Sequence, residues 1–264
     1  MIVPTLQAVA DAWPAGMLVA VGLFGLIIGS FLNVVVVRVP EHRSLLRPPS
    51  ACPRCSAQLS WYDNIPVVSF LILRGRCRAC AEPISWRYPI VEAIMAVALV
   101  LAYLAFGPTT DFVVASVLLA ALIAITAIDL QHLLIPDVIT LPGVLVGLVA
   151  NIATGRISWL ESAVGIVLAG ALFLTIILVS RGGMGGGDLK LGAMLGAFLG
   201  WKALLLALFV AIVLGGVVGI ALLLSGLRGR KDAVPFGPFL ALGGAVALFW
   251  GERVFDWWVS GFGG

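Results

Sequence analysis

Charge is what this sequence has least of. Asp, Glu, Lys and Arg make up 11% of its 264 residues, against about a quarter in a soluble domain. Hydrophobic residues make up 61%, which excludes an ordinary soluble chain and implies a polytopic membrane protein. A hydrocarbon core about 30 Å thick takes roughly 20 apolar residues per helix, and lipid tolerates no open sheet edge. The expected fold class is therefore all-α. Histidine is nearly absent, with only His42 and His132 in the chain. No H-E-x-x-H is present, so a zinc peptidase of that kind is excluded, and no G-x-S-x-G marks a serine nucleophile. The glycines at 182–187 lead to no Gly-Lys-Ser/Thr, so they are not a phosphate loop. A net charge of +3 comes with no nucleic-acid-binding motif. The opening MIVPTLQAVADAW lacks a basic n-region, and the apolar run behind it is too long for a signal-peptide core; it reads as a retained helix.

Apolar runs give about eight transmembrane helices, near 15–37, 88–106, 112–130, 137–153, 159–180, 188–200, 202–226 and 235–255. The sixth is short enough to merge with the seventh through Gly200 and Trp201. Eight of the sixteen Lys and Arg lie from Arg38 to Arg87, and Arg181, Arg228, Arg230 and Lys231 also follow odd-numbered spans. The bias of Lys and Arg to the inner face then makes those loops cytoplasmic and puts both termini outside. The expected organisation is an N-terminal helix (1–37), a cytoplasmic insert (38–87) and a transmembrane core (88–264).

The insert carries all four cysteines, Cys52 and Cys55 in CPRC, Cys77 and Cys80 in CRAC, with 21 residues between the pairs. Two C-x2-C turns at that separation match a tetrahedral four-thiolate zinc site. Two disulfides are the alternative, disfavoured in a reducing cytosol. With four protein ligands such a site is closed, hence structural, and a 50-residue insert needs a staple of this kind to fold.

Acids at a membrane edge are costly and default to function. Of the thirteen, Asp11, Asp111, Glu161, Asp232, Glu252 and Asp256 read as solvated loop or terminal residues. Glu41, Asp63 and Glu82 balance the arginines of the insert, and Glu92, one turn into span two, has no assignable role. Asp137 follows a proline and opens span four, where a helix N-cap is the first reading. Asp129 ends the run LLAALIAITAID, beside the negative end of its own helix dipole, so local structure does not explain it. Asp188 follows Gly185, Gly186 and Gly187 in GGMGGGD. Glycines weaken a helix start, so the run implies close approach of a substrate to the backbone, or a loop that moves. Asp129 and Asp188 fall at the cytoplasmic ends of their spans, where they can meet. Two adjacent carboxylates sharing one proton can activate a water and protonate a leaving amine.

At these residues the sequence resembles the prepilin leader peptidases, membrane aspartic peptidases of the Gly-x-Gly-Asp type. The likeness runs through GSFLNVVVVRVP (29–40), both Cys pairs, AIDLQHLLIPDVITLP (127–142), GMGGGDLKLGAMLGAFLG (183–200) and PFGPFLALGG (235–244). The resemblance implies a bacterial inner-membrane enzyme that removes a short basic leader from type IV prepilins or pseudopilins at the cytoplasmic face. Asp129 and Asp188 would be its catalytic residues. The resemblance also implies methylation of the new N-terminal residue, usually phenylalanine, with S-adenosylmethionine as cofactor. Asn33 and Arg38 read first as packing residues, although by resemblance they would border the methyl-transfer site; PFGPF would line the substrate groove. An arginine-rich insert facing a basic leader implies that the insert is held at anionic lipid. The alternative from another class is a proton-coupled transporter using the same carboxylates.

Overall fold

The computed structural model describes residues 12–180, 184–226 and 234–262, so Asp11, Arg181, Gly182, Gly183, Arg228, Arg230, Lys231 and Asp232 lie outside the described residues. Its helices are α1 (Pro14–Arg38), α2 (Val68–Ile72), α3 (Arg87–Phe106), α4 (Thr110–His132), α5 (Asp137–Thr154), α6 (Trp159–Val179), α7 (Gly186–Leu224) and α8 (Gly237–Phe262). Seven of them are long and apolar enough to cross a membrane. The compact units divide inside α4, with Met1–Ala124 in one and Ile125–Gly264 in the other. The boundaries at 37 and 87 read from the sequence are of another kind, following the change from apolar to polar composition.

In the first unit α1 and α3 pack through a ladder of small residues. A Cβ on Gly25 would stand 2.5 Å from the Ala96 Cα, and one on Gly29 would stand 2.5 Å from the Glu92 Cα. One turn further, Asn33 Nδ2 donates to the Tyr88 carbonyl at 3.1 Å. The G-x-x-x-G spacing thus brings two backbones together, and Asn33 bonds across the contact, as lipid-embedded helices require when no hydrophobic drive joins them.

In the second unit α7 is a single 39-residue helix by its hydrogen bonding, yet Gly200 within it has φ 69° and ψ 172°. Its neighbours show what happens there. Gly192 packs on Phe173, Gly196 on Gly165 and Gly200 beside Glu161, so residues 186–199 run antiparallel to α6. Leu195 meets Gly244 of α8, whereas Ala203 meets Gly251, Ala207 meets Gly243 and Gly215 meets Phe236. The first limb therefore runs parallel to α8 and the second antiparallel to it. The chain doubles back at Gly200, and the sixth and seventh spans are the two limbs of a helical hairpin. The seven long helices thus supply eight apolar helical segments among the described residues, matching the eight runs read from the sequence.

Such a reversal strands carbonyls at the end of the first limb, and in lipid they need partners. Asn151 of α5, 1% exposed, supplies them: its Nδ2 reaches the carbonyls of Ala197 at 2.8 Å and Phe198 at 3.2 Å, and Ser162 Oγ at 3.0 Å. A capping box at Ser158, closed by Glu161, starts α6 at the same end, and Glu161 pairs with Lys202 at 2.7 Å. Replacing Asn151 by Leu leaves the buried carbonyls without a donor, at a cost of about 1–3 kcal/mol. Thermal unfolding in detergent is expected to show this as a lowered midpoint; an unchanged midpoint would mean that the hairpin does not depend on Asn151.

Candidate active site and four-cysteine centre

Asp129 lies in the last turn of α4 and is 5% exposed. Its own helix presents carbonyls there, the wrong dipole end for an anion. The partner comes from another element. Gly237, the first residue of α8, donates its N–H to Asp129 Oδ2 at 3.0 Å, so the positive end of α8 faces the carboxylate. A Cβ at Gly237 would sit 2.5 Å from that oxygen, which makes glycine a requirement. The prolines of PFGPF flagged a break, but nothing in the sequence paired Gly237 with Asp129.

Asp188 lies in the first turn of α7 and is 8% exposed. Gly185, extended at φ −81° and ψ 150°, is the N-cap, and its backbone bonds the Asp188 carboxylate. Gly186 and Gly187 are already helical, two residues before the expected start of this span. At Gly187 an added Cβ would come 2.8 Å from Ile135 Cβ, whereas at Gly186 it would meet nothing. Ile135 also touches the Gly237 position, so this one buried side chain wedges between the starts of α7 and α8. The two carboxylates are close enough for the charge of Asp129 to act on Asp188. Each is held at a helix N-terminus, a setting that favours negative charge, and between them they carry what water activation and amine protonation need.

Asp137 does not join the pair. Pro136 takes the N-cap position of α5 and Asp137 the first helical one. Both its oxygens accept from Lys190 Nζ at 2.7 Å. This pair is half exposed and contributes at most about 1 kcal/mol to stability, but it ties the start of α7 to the start of α5, two residues from both Asp188 and Ile135.

In the insert, residues 51–58 and 76–83 fold alike. Cys52 N–H donates to Ala57 O and Ser56 N–H to Cys52 O, both at 2.9 Å; Cys77 N–H donates to Glu82 O at 2.8 Å and Ala81 N–H to Cys77 O at 2.9 Å. Ser56 and Ala81 both have φ 58°, and each loop is closed by one bridge, Ala51 with Gln58 and Arg76 with Pro83. The repeat places all four sulfurs within 4.8 Å of one another, with Cys52 and Cys80 Sγ at 3.9 Å. A tetrahedral ion at about 2.3 Å from each thiolate sets its ligands about 3.8 Å apart, so the four cysteines can hold one metal ion. None forms a disulfide. Backbone hydrogen bonds from Cys55 and Arg54 lower the Cys52 thiol to about 6. At Cys80 the Glu82 backbone favours the thiolate, but desolvation and the neighbouring sulfurs override it and push the thiol up to about 12. The neighbouring sulfurs thus oppose joint ionisation, and a cation placed among them would favour it.

Two family models match the chain: the bacterial peptidase A24 N-terminal domain over residues 23–106 and the type IV leader peptidase family over residues 116–220. Among curated relatives, a prepilin leader peptidase/N-methyltransferase of Aeromonas hydrophila is 39% identical over 91% of this chain and 93% of its own length. One of Legionella pneumophila is 36% identical over 97% of this chain and 99% of its own, and one of Burkholderia pseudomallei 41% over 91% and 88%. No solved structure gives a significant match. Purified protein is expected to carry one metal ion per chain by elemental mass spectrometry. Cys52→Ser and Cys80→Ser should both lose it, and an undiminished metal content in both would disconnect the cluster from metal binding.

Proposed function

The chain belongs to the type IV leader peptidase family, and from that membership and the paired carboxylates we propose that Asp129 and Asp188 are the catalytic residues of a prepilin leader peptidase. It is a multi-pass bacterial inner-membrane protease that processes prepilins and methylates the product. The proton-coupled transporter is not favoured, because the leader-peptidase match spans both aspartates. The observation that carries the assignment is Asp129 held by the N-terminus of α8 beside Asp188 in the first turn of α7.

With one proton shared by the pair, the ionised carboxylate accepts a proton from water as the water oxygen attacks the scissile carbonyl. The protonated carboxyl donates to the carbonyl oxygen. Collapse of the tetrahedral adduct breaks the C–N bond, and the leaving amine takes a proton from the pair. Residues 186–199 form about 21 Å of helix, short of a hydrocarbon core of about 30 Å. Asp188 begins that limb, at a depth suited to a peptide whose following segment is a lipid-buried helix. The extended Gly185 and the open Gly186 leave room for that peptide to lie along the backbone, and Gly187 contributes by letting Ile135 approach.

The leader is short and basic, the substrates are prepilins or pseudopilins, and both the dyad and the insert face the cytoplasm. The ion at Cys52, Cys55, Cys77 and Cys80 is a structural zinc, and S-adenosylmethionine supplies the methyl group. The insert lies against anionic lipid: Leu46, Trp61, Leu71 and Ile72 are largely exposed apolar residues, and no ion pair forms at the nearby Arg47, Arg74 or Arg76 among the described residues. Apolar anchors beside basic residues suit such a surface.

With a prepilin as substrate and mass spectrometry as readout, Asp129→Asn and Asp188→Asn should each slow leader removal by about 10²–10⁴-fold or more. Gly237→Ala should approach that loss by displacing the Asp129 carboxylate, while Asp137→Asn keeps most of the activity. Cleavage surviving either dyad change would end the aspartic assignment.

A further inference from the structure

Among the described residues the buried acids are Glu92, Asp129 and Asp188, and hydrolysis uses only the last two. Glu92 stands on α3, five residues in from its start and 7% exposed. It lies in the seam where Gly29 lets α1 approach the Glu92 backbone. Its Oε2 accepts from the Val67 N–H at 2.8 Å, and the Ser30 side chain also bonds to it.

Two features of this seam are not accounted for by packing. Val67 has φ 60° and ψ −47°, and Val68 N–H closes a three-residue turn onto Pro66 O at 2.5 Å. This is the rare positive-φ form of the γ-turn, and it is strained above all for a β-branched residue. Strain of this sort is held in place by its surroundings and concentrates at functional sites. One turn along the seam, Asn33 is 3% exposed and donates to Tyr88 O, yet its Oδ1 has no partner. Exchanging the amide's two ends would lose the Tyr88 bond and not repair the defect.

The seam therefore holds the Glu92 carboxyl, which accepts from Val67 N–H and Ser30, and one turn away a bare amide oxygen, in apolar surroundings. That arrangement suits a group that brings several donors. The nearby cations do not supply it: Arg38 is spent on the carbonyls of Ser44 at 2.9 Å, Leu45 at 3.2 Å and Pro48 at 2.7 Å, and Arg87 is engaged over the Tyr88 ring. A primary ammonium fits, with three N–H donors on one small cation.

We propose that Glu92 and Asn33 bind the primary ammonium of the newly exposed N-terminus, the amine that methylation takes as its acceptor, with the Val67 turn as the cover over the carboxylate. This rests on the reading of the chain as a peptidase that also methylates. The proposal gives unit one a chemical role independent of Asp129 and Asp188, and it gives Glu92 and the bare Asn33 oxygen a common partner.

The test uses the full-length protein in detergent without S-adenosylmethionine. Calorimetric titration compares a hexapeptide bearing a free-amine N-terminal phenylalanine with its N-acetyl twin. Wild type should bind the free amine at least tenfold more tightly, and Glu92→Gln and Asn33→Leu should abolish that preference. With S-adenosylmethionine and a prepilin, methyl transfer in both variants should fall at least tenfold further than leader removal. Because Asn33→Leu also removes the bond to the Tyr88 carbonyl, its unfolding midpoint should fall, and binding is compared at a temperature where both variants remain folded. Preference retained in the variants, equal binding of the two peptides by wild type, or parallel loss of cleavage and binding would overturn the proposal and assign both residues to the fold. Wild type that cleaves no prepilin at all would instead contradict the leader-peptidase reading.

Discussion

Everything in the second unit depends on one constraint: backbone polar groups in lipid must find partners within the protein. Three of the helix breaks there, at Gly200, at the start of α7 and at the start of α8, expose groups that a continuous helix would have satisfied. At Gly200 the carbonyls of Ala197 and Phe198 are answered by Asn151. At the starts of α7 and α8 the exposed groups are N–H donors, and the acceptors are Asp188 and Asp129. The same two carboxylates that are suited to proton transfer are thus the caps that make two helix starts tolerable in a membrane. The proposed catalyst and the fold share their hydrogen bonds. This also explains how two buried acids can stand close together, since each faces the positive end of a helix.

The insert answers a different shortage. It lies largely outside the apolar seams that stabilise the spans, and its order comes from a repeated eight-residue loop that aims four sulfurs at one point. Each loop needs a positive-φ residue four places after its first cysteine, supplied by Ser56 and Ala81. Four thiols held this close would be steadied by a cation among them, as in other small domains that gain their folding energy from a metal.

Much of this was legible in the sequence, and the reasons differ by residue. The spans are long enough that composition alone locates them, and the break at Gly200 shows as a glycine between two apolar runs. Asp129 stood out because its own helix could not account for it, and the structure places the missing positive end on α8, more than a hundred residues away. The cysteine spacing carried the cluster because the geometry of a C-x2-C turn is local. Gly237, Ile135 and Asn151 were not legible in those roles. Each acts across a distant contact, and no periodicity or spacing records that Gly237 abuts a carboxylate or that Asn151 serves carbonyls of another span. The N-cap reading of Asp137 gave way to an ion pair with Lys190 for the same reason. Glu92, which the sequence left without a role, gains partners only when α1 and the Val67 turn close on it.

The central claim is that Asp129 and Asp188 act as one unit carrying one proton. The most direct measurement is kcat/KM for prepilin cleavage against pH, with the enzyme and substrate in vesicles of fixed composition. A pair that must hold a single proton gives a bell, falling on the acid side when both carboxyls are protonated and on the alkaline side when neither is. A profile that rises with pH and then stays level would show that no shared proton is needed, and would contradict the account.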